Sequence, residues 1–509
     1  MTNNFVTYSR ENGGRVLPLF LLFCLAIYQF INAGFNTFAI ICLIPILIPA
    51  IYFAFRWRMF VFWILIFVNY FVQFINKQQL LPNGIPMSLY NELLEIILIA
   101  IAIIDIRQYP HFERTGNLMF ITLLCWCGFC TLEVLNDTCG LGLDIGGWYT
   151  GARLMAFQLL YAFIVYTLYI TDSDTLVKYL KIWALLSIFS AFWTLKQQYF
   201  GFTDAERIWL ETRGRTTHVI NAGTLTRYWS TFNDAASYGI HAAGAAVLFF
   251  VICITTKIKS DRYFYLITGL FVTWQMFASG TRTATFCLIA GFITFLVLAK
   301  SFKIIIPSAI IGGFFLFLLI FTNIGQGNHQ IRRMRSGFNK NDASANVRDI
   351  NQAAIKKYIA DAPWGLGLGI SYDNVPANNK FKKLSTIPPD SEYVYIWVHT
   401  GPIGITTFVI LTLIMFLGAC WVVFTKIKSK SLAGIGAGLC GAFVSIQLGG
   451  YANQVLMQFP NCLMFYGGLA IVYILPYIEP QWIELENKRL AIQEEKNRLK
   501  LEKKLASRV

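Results

Sequence analysis

Arginine side chains stand out in the polar segments that separate the long apolar blocks of this sequence. Arg227 lies in a segment of about residues 200–234, and Arg348 lies in one of about residues 323–392. Arg282 lies in a very short turn between two apolar blocks. A guanidinium is a planar, permanently charged group that donates paired hydrogen bonds to phosphate oxygens. The three arginines therefore predict a site for an anionic ligand.

Three further arginines, Arg332, Arg333 and Arg335, follow directly after an apolar block in the second segment. Arg335 is our fourth candidate for binding this anion, although the three arginines could instead contact lipid headgroups. Arg282 and Arg348 could likewise have a role other than ligand binding. Arg282 could only anchor the chain at the membrane interface, and Arg348 could only face water.

Two carboxylates, Asp390 and Glu392, end the second segment directly before the next apolar block. A carboxylate within hydrogen-bond reach of a hydroxyl can act as its general base, so both residues are candidates for that role. Because Asp is also a favoured N-cap, Asp390 could instead only begin the next helix. His399, inside that block, is interpreted mainly as a core side chain, and His218 and His329 are weaker candidates.

The apolar blocks decide which elements position these residues. Of the 509 residues, 56% are hydrophobic and 14% are charged, whereas a soluble chain carries about a quarter charged residues. Blocks of about 17–25 residues span the bilayer core as helices, which satisfy their own backbone polar groups. We therefore predict an all-α polytopic membrane protein with about 12–14 transmembrane helices, two long periplasmic loops and a cytoplasmic C-terminal helix.

Basic residues predict the orientation of the spans. About fourteen blocks can be placed, starting near residues 16, 37, 59, 90, 117, 151, 177, 235, 262, 283, 304, 393, 432 and 461. With the N-terminus in the cytoplasm, the cytoplasmic links and tail hold 24 of the 42 basic residues, as the positive-inside rule requires. The other 18 concentrate at the external face, which favours an anionic ligand there.

The same topology argues against other functions that the composition could suggest. The net charge of +15 follows mostly from the cytoplasmic links, so we predict no nucleic-acid partner. The eleven cysteines lie mostly in apolar blocks, where a thiol behaves as a small hydrophobe. Their spacing indicates neither a disulfide framework nor a metal site, and we expect no cofactor.

We predict six consecutive parts along the chain. They are the N-terminal transmembrane helices (1–199), the first periplasmic loop (200–234), transmembrane helices with the Arg282 turn (235–322), the large periplasmic loop (323–392), the C-terminal transmembrane helices (393–480) and a charged cytoplasmic helix (481–509). In the large loop, the pattern predicts an amphipathic helix over Ser344–Asp361. The glycines of Pro363–Gly369 predict a tight backbone path. The charged tail is typical either of a solvated helix or of a short coiled coil.

Four external motifs occur in a characteristic order. They are Arg227-x-x-Ser-Thr-Phe, the turn ending Thr281-Arg282, Arg348 ahead of the glycines of Pro363–Gly369, and Asp390-Ser-Glu-Tyr eleven residues before Gly401. In this order and topology they resemble the O-antigen ligase and O-antigen polymerase superfamily of bacterial membrane glycosyltransferases. Asp390-Ser stands where ligases of this superfamily carry His-Asn.

The resemblance implies an inverting, metal-independent glycosyltransferase of the bacterial inner membrane. Its donor would be a glycan on undecaprenyl pyrophosphate, bound at the periplasmic face by Arg227, Arg282, Arg348 and Arg335. Its acceptor would be another glycan or lipid A–core, in lipopolysaccharide or surface polysaccharide assembly. Asp390 or Glu392 would act as the catalytic base.

Other functions stay open at this point. A polymerase of the same superfamily is the nearest, because polymerase-like members accept an aspartate at the histidine position more readily. A transporter of lipid-linked sugars is the alternative of another class. Transporters place ionisable groups in mid-membrane, and only His241 and Glu95 can be placed well inside a span. A membrane scaffold would leave the external arginines unexplained.

Overall fold

The computed structural model describes residues 51–80, 88–105, 111–220, 225–299, 302–338 and 343–506, with scattered positions before residue 51. Helices of eight residues or more after residue 57 are labelled α1 to α14. They are α1 Arg58–Lys77, α2 Ser88–Ile104, α3 Leu118–Leu132, α4 Ile145–Tyr169, α5 Ser173–Leu195, α6 Ala235–Thr255, α7 Lys259–Ala278, α8 Arg282–Leu298, α9 Phe302–Phe321, α10 His329–Ser336, α11 Ala343–Ile359, α12 Glu392–Trp421, α13 Lys430–Ala452 and α14 Gly467–Ala506. Helix α4 contains a π-helical turn at Arg153–Phe157.

The described chain is an all-α polytopic membrane protein, as predicted. Eight of its described helices are long and apolar enough to cross a membrane, and two shorter apolar helices, Arg282–Leu298 and Ile305–Leu318, accompany them. Twelve of the predicted spans coincide with helices α1–α9 and α12–α14. The predicted spans near residues 16 and 37 lie largely outside the described residues.

Helix α6 lies at the centre of the bundle, in contact with α7, α8 and α13. Small residues allow this close packing. A Cβ atom on Gly441 of α13 would lie 2.6 Å from the carbonyl oxygen of Gly291 in α8, and membrane helices pack through such small-residue contacts. This core fixes the neighbouring ends of α6, α7 and α8, where the Arg282 turn lies.

The amphipathic helix predicted in the second long loop is confirmed as α11, Ala343–Ile359. The glycine-rich run that follows, Pro363–Gly369, packs into a break in helix α12. The break lies at Gly401, whose φ of 66° is left-handed. Leu366 donates its backbone N–H to the carbonyl of Val398 over 2.9 Å. The glycine-rich run thus supplies hydrogen-bond partners that the broken helix lacks.

The charged tail continues the last span without interruption, in one helix that passes through Pro476 and Pro480. It docks on the link between α6 and α7 through two ion pairs, Lys257–Glu486 at 2.8 Å and Arg489–Asp261 at 2.7 Å. This part of the tail is therefore a docked helix, rather than a solvated one.

A buried ion pair within the first half of the bundle was missed by the sequence analysis. Arg153 Nη1 lies 3.0 Å from Glu92 Oε2, with side-chain exposures of 5% and 3%. Tyr149 donates its hydroxyl to the other oxygen of Glu92 over 2.8 Å. Glu92 and Arg153 lie near the starts of two apolar blocks, so the sequence suggested loop-end positions for them.

Candidate functional site

The turn between α7 and α8, Ser279–Arg282, is held by the side chain of Arg227. Its Nε donates to the carbonyl of Ser279 over 3.2 Å, and its Nη2 donates to the hydroxyl of Thr281 over 3.0 Å. Gly280, between them, has a left-handed φ of +60°. Two motifs that lie more than fifty residues apart in sequence therefore form one structural unit.

The first long loop positions Arg227 through a short hairpin, in which Val219–Ile220 pairs with Leu225–Thr226. Directly after this hairpin, the Arg227 N–H donates to the carbonyl of His218 over 2.8 Å, and Nη1 donates to the carbonyl of Thr217 over 3.0 Å. The backbone and the side chain of Arg227 are thus both held in place. The guanidinium is preorganised before any ligand is bound.

Burial lowers the pKa of the Arg227 guanidinium from its ordinary value. The charge of Asp234 acts in the opposite direction, while the charges of Arg282 and Arg348 lower this pKa further. Electrostatic effects of this kind require short separations. Arg282 follows Thr281, to which Arg227 donates, and Arg348 acts on the same guanidinium through its charge.

Arg333 of α10 is a member of the site that was not among the predicted residues. Its Nε donates to the carbonyl of Gly280 over 2.7 Å. A Cβ atom on Gly280 would lie 3.3 Å from both Arg227 Cγ and Arg333 Cδ. Glycine at this position therefore allows the two arginines to flank the turn.

The predicted residue Arg335 points elsewhere, because its Nη2 donates to the carbonyl of Ile324 over 3.1 Å. Arg332 contacts His329, with Nη2 2.7 Å from Nδ1. Of the three neighbouring arginines, the structure brings Arg333 to the turn. The sequence offered no means of choosing among them, since the choice depends on which face of α10 packs on α7 and α8.

Asp390 is half-buried, and one of its oxygens, Oδ2, accepts a hydrogen bond from Asn351 Nδ2 over 3.1 Å. Asn351 lies three residues after Arg348 on α11, so both side chains lie on the same side of the helix. Helix α11 thereby links the carboxylate to the arginine cluster. The alternative role as helix cap is not observed, because the N-cap of α12 is Ser391.

Glu392 is buried, with 4% of the residue exposed, and its Oε2 accepts the backbone N–H of Leu456 over 3.0 Å. Two neighbouring contacts join the same segments. Ser391 Oγ donates to the carbonyl of Gly450 over 3.1 Å, and Gln454 Nε2 donates to the carbonyl of Pro389 over 2.6 Å. Glu392 therefore helps to hold the backbone around Asp390 against the loop after α13.

Two of the candidate histidines, His399 and His218, occupy structural positions. His399 is buried and its Nδ1 lies 2.8 Å from the carbonyl oxygen of Gly367, as expected for a core side chain. His218 accepts the backbone N–H of Ala235 at Nε2 over 3.1 Å. Burial, together with the nearby charge of Arg227, lowers the pKa of His218 to about 3.

Residues 264–409 match the family model described as O-antigen ligase. No curated protein sequence matches the chain. The matched segment contains Arg282, Arg333, Arg348 and Asp390, and Arg227 reaches it from outside through the hydrogen bonds described above. The predicted resemblance to the O-antigen ligase and polymerase superfamily is confirmed.

Proposed function

We propose that this chain is an O-antigen ligase-like glycosyltransferase, a proposal supported by the match of residues 264–409 to the O-antigen ligase family model. It moves a glycan from undecaprenyl pyrophosphate to an acceptor hydroxyl, in the assembly of lipopolysaccharide or another surface polysaccharide. One observation carries the proposal: Arg227 and Arg333 flank a single turn that ends at Arg282.

The electrostatics of the arginine cluster support a pyrophosphate leaving group. Burial disfavours the positive charge on Arg227, and the charges of Arg282 and Arg348 act in the same direction, whereas the charge of Asp234 opposes them. A bound pyrophosphate would relieve this repulsion and would be held by donors already in place. The negative charge that develops as the glycosidic bond breaks would be stabilised in the same way, without a metal ion.

Asp390 is the proposed base. The acceptor oxygen attacks the anomeric carbon, its proton passes to Asp390, and the bond between that carbon and the pyrophosphate oxygen breaks. One displacement of this kind inverts the anomeric configuration. Glu392 is the second candidate base, but its contact with the Leu456 N–H favours a role in positioning Asp390.

We further propose that the protein lies in the bacterial inner membrane with its N- and C-termini in the cytoplasm. The positive-inside rule supports this orientation, since it assigns the short basic links and the tail to the cytoplasm. The arginine cluster then faces the periplasm, where both glycan substrates and surrounding membrane lipids are accessible. Arg335, whose Nη2 donates to the carbonyl of Ile324, is in this proposal a candidate contact for lipid headgroups rather than for the pyrophosphate.

A polymerase of the same superfamily is the second candidate. The observation that favours it is the carboxylate at Asp390, where ligase relatives carry a histidine. In that case the acceptor is another lipid-linked glycan instead of lipid A–core. A transporter of lipid-linked sugars is the alternative of another class, favoured only by the buried Glu92–Arg153 pair.

The experiment uses the purified full chain in nanodiscs with a short undecaprenyl-pyrophosphate glycan, with and without lipid A–core. Transfer to lipid A–core would support the ligase function. Lengthening of the glycan without lipid A–core would support the polymerase instead. If neither product forms while the lipid-linked glycan crosses the membrane in liposomes, the protein is a transporter and the proposal is wrong.

A further inference from the structure

Lys77, the last residue of α1, is a buried cation that the proposed mechanism does not use. Only 7% of the residue is exposed, and its Nζ donates a hydrogen bond to the backbone carbonyl of Asn233. No described carboxylate forms an ion pair with this ammonium. Because a buried charge is costly unless it is compensated, the position of Lys77 requires another source of stabilisation.

Two indole rings provide that stabilisation. The Lys77 ammonium lies 3.4 Å from the ring centroid of Trp209 and 4.8 Å from that of Trp229. The face of an indole attracts a cation, and this attraction is strongest where water is excluded. Trp229 is fully buried, and its ring centroid lies 4.8 Å from that of Trp209. We refer to Lys77, Trp209 and Trp229 as the lysine cage.

The lysine cage contacts the segment that presents Arg227. The ring of His218 lies nearly perpendicular to both indoles of the cage, with a centroid separation of 5.1 Å from each. The carbonyl of the same histidine accepts the backbone N–H of Arg227, and Trp229 follows Arg227 by two residues. The cage and the Ser279–Arg282 turn therefore hold Arg227 through two different sets of contacts.

The hydrogen bond from Lys77 leads to the same turn by a second route. The carbonyl that Lys77 binds lies two residues before Ala235, the first residue of α6. The carbonyl of Ala235 accepts the hydroxyl of Thr281 over 2.8 Å, and this hydroxyl accepts Nη2 of Arg227 over 3.0 Å. Lys77 therefore fixes the segment that orients Thr281 toward Arg227.

We propose that Lys77 is a positioning residue for glycan transfer. Its ammonium holds the two indoles and the Asn233 carbonyl together, and the lysine cage thereby fixes Arg227 in the orientation that binds the pyrophosphate of the donor. Lys77 acts through Arg227 and needs no contact with the substrate. This inference rests on the proposed glycosyltransferase function and adds to it a residue of α1, which lies outside all the external motifs.

A role in stability alone predicts a different result from a role in positioning. Methionine has a similar length to lysine and no charge, and replacement of buried charges by apolar side chains is often neutral or stabilising. Lys77→Met should therefore unfold at the wild-type temperature or above it, although its indoles have lost the cation that held them. A loss of folded protein would lower the apparent kcat and leave KM unchanged, whereas a misplaced Arg227 raises KM for the donor.

Steady-state transfer by the purified full chain in nanodiscs tests the proposal, with a glycan on undecaprenyl pyrophosphate as the donor. Lys77→Met should raise KM for the donor by about ten-fold or more. Trp209→Leu should do the same, and the double variant should be no weaker than either single variant, because both changes remove one interaction. Lys196→Met is the matched control and should keep the wild-type KM, since Lys196 pairs with Glu206 at 3.7 Å and lies outside the cage.

Hydrogen exchange measured by mass spectrometry tests the same inference without any transfer. Backbone amides of residues 219–227 should exchange faster in Lys77→Met than in the wild type or in Lys196→Met. A wild-type KM in Lys77→Met, additive losses in the double variant, or unchanged exchange of these amides would each overturn the proposal. If the wild type transfers no glycan, the proposed function fails, and the exchange measurement alone decides whether Lys77 holds Arg227 in place.

Discussion

Asn351 Nδ2 donates a hydrogen bond to Oδ2 of Asp390 over 3.1 Å, and so joins helix α11 to the residue that precedes α12. Asn351 is one helical turn from Arg348, whose charge acts on the half-buried Arg227. A single amide therefore connects the proposed base with the proposed pyrophosphate site.

Loss of the Asn351 amide should impair catalysis. A hydrogen bond to a charged group contributes about 1.5–3 kcal/mol, so Asn351→Ala should lower kcat by roughly 10- to 100-fold. Gln352→Ala, at the next position of the same helix, is the matched control and should have little effect. Steady-state transfer assays on both variants check this, and equal kcat values would mean that the contact does not orient Asp390.

Gly280→Ala should disrupt the arginine pair. The added Cβ atom would lie 3.3 Å from Arg227 Cγ and from Arg333 Cδ, at a φ of +60° that disfavours alanine. We expect a raised KM for the lipid-linked donor and a fall in kcat/KM of about 10-fold or more.

Gly201→Ala is the control for backbone strain. Its φ of +81° is also left-handed, but nothing lies within 4 Å of the added Cβ atom. If Gly280→Ala and Gly201→Ala lose activity to the same extent, backbone strain alone explains the loss and the arginine pair is not involved.

Arg333 and Arg335 should differ in importance despite being two residues apart. Arg333→Ala removes the donor to the Gly280 carbonyl and a cation beside Arg227, so donor affinity should fall by about 10-fold or more. Arg335 donates to Ile324 instead, and Arg335→Ala should have a smaller effect. Donor titrations compare the two, and a larger loss in Arg335→Ala would reverse the assignment.

His218 should make the first long loop sensitive to acid. Its pKa is about 3 in the folded protein and 6.5 ordinarily, so the unfolded chain binds more protons between these values. This contribution to stability is complete above pH 6.5 and falls by about 1.4 kcal/mol per pH unit as the pH decreases toward 3.

Thermal unfolding of wild type and His218→Gln between pH 7 and pH 5 measures this effect. The glutamine retains an oxygen that can accept the Ala235 N–H and does not titrate. The wild type should lose more stability over this interval than the variant does. Parallel losses in the two proteins would exclude His218 as the acid-sensitive group.

The fold was largely predictable, because hydrophobic blocks of membrane length leave few alternatives in lipid. The twelve described spans were found in this way, and α11 was found from its apolar stripe. The sequence did not distinguish Arg333 from Arg335, since that choice depends on how α10 packs against the Ser279–Arg282 turn. It also did not place Glu92 beside Arg153, because the pairing requires two distant helices to come into contact.

Within the site, the candidate residues were predictable and several of their contacts were not. The motifs indicated Arg227, Arg282, Arg348 and Asp390. The glycine-rich run was expected to form a tight backbone path, and the structure packs it into the break of α12. The contact from Glu392 to the Leu456 N–H lies between segments sixty-four residues apart, and no local pattern indicates it.

The most direct test of the central claim is glycan transfer by Arg282→Ala and Asp390→Asn variants of the purified full chain in nanodiscs. The donor substrate is a glycan on undecaprenyl pyrophosphate, and the transfer products are measured in a single turnover. Expression level and thermal unfolding of each variant serve as controls for correct folding. Each variant should fold normally and lose transfer by about 100-fold or more. Transfer at wild-type rates by both variants would contradict the account.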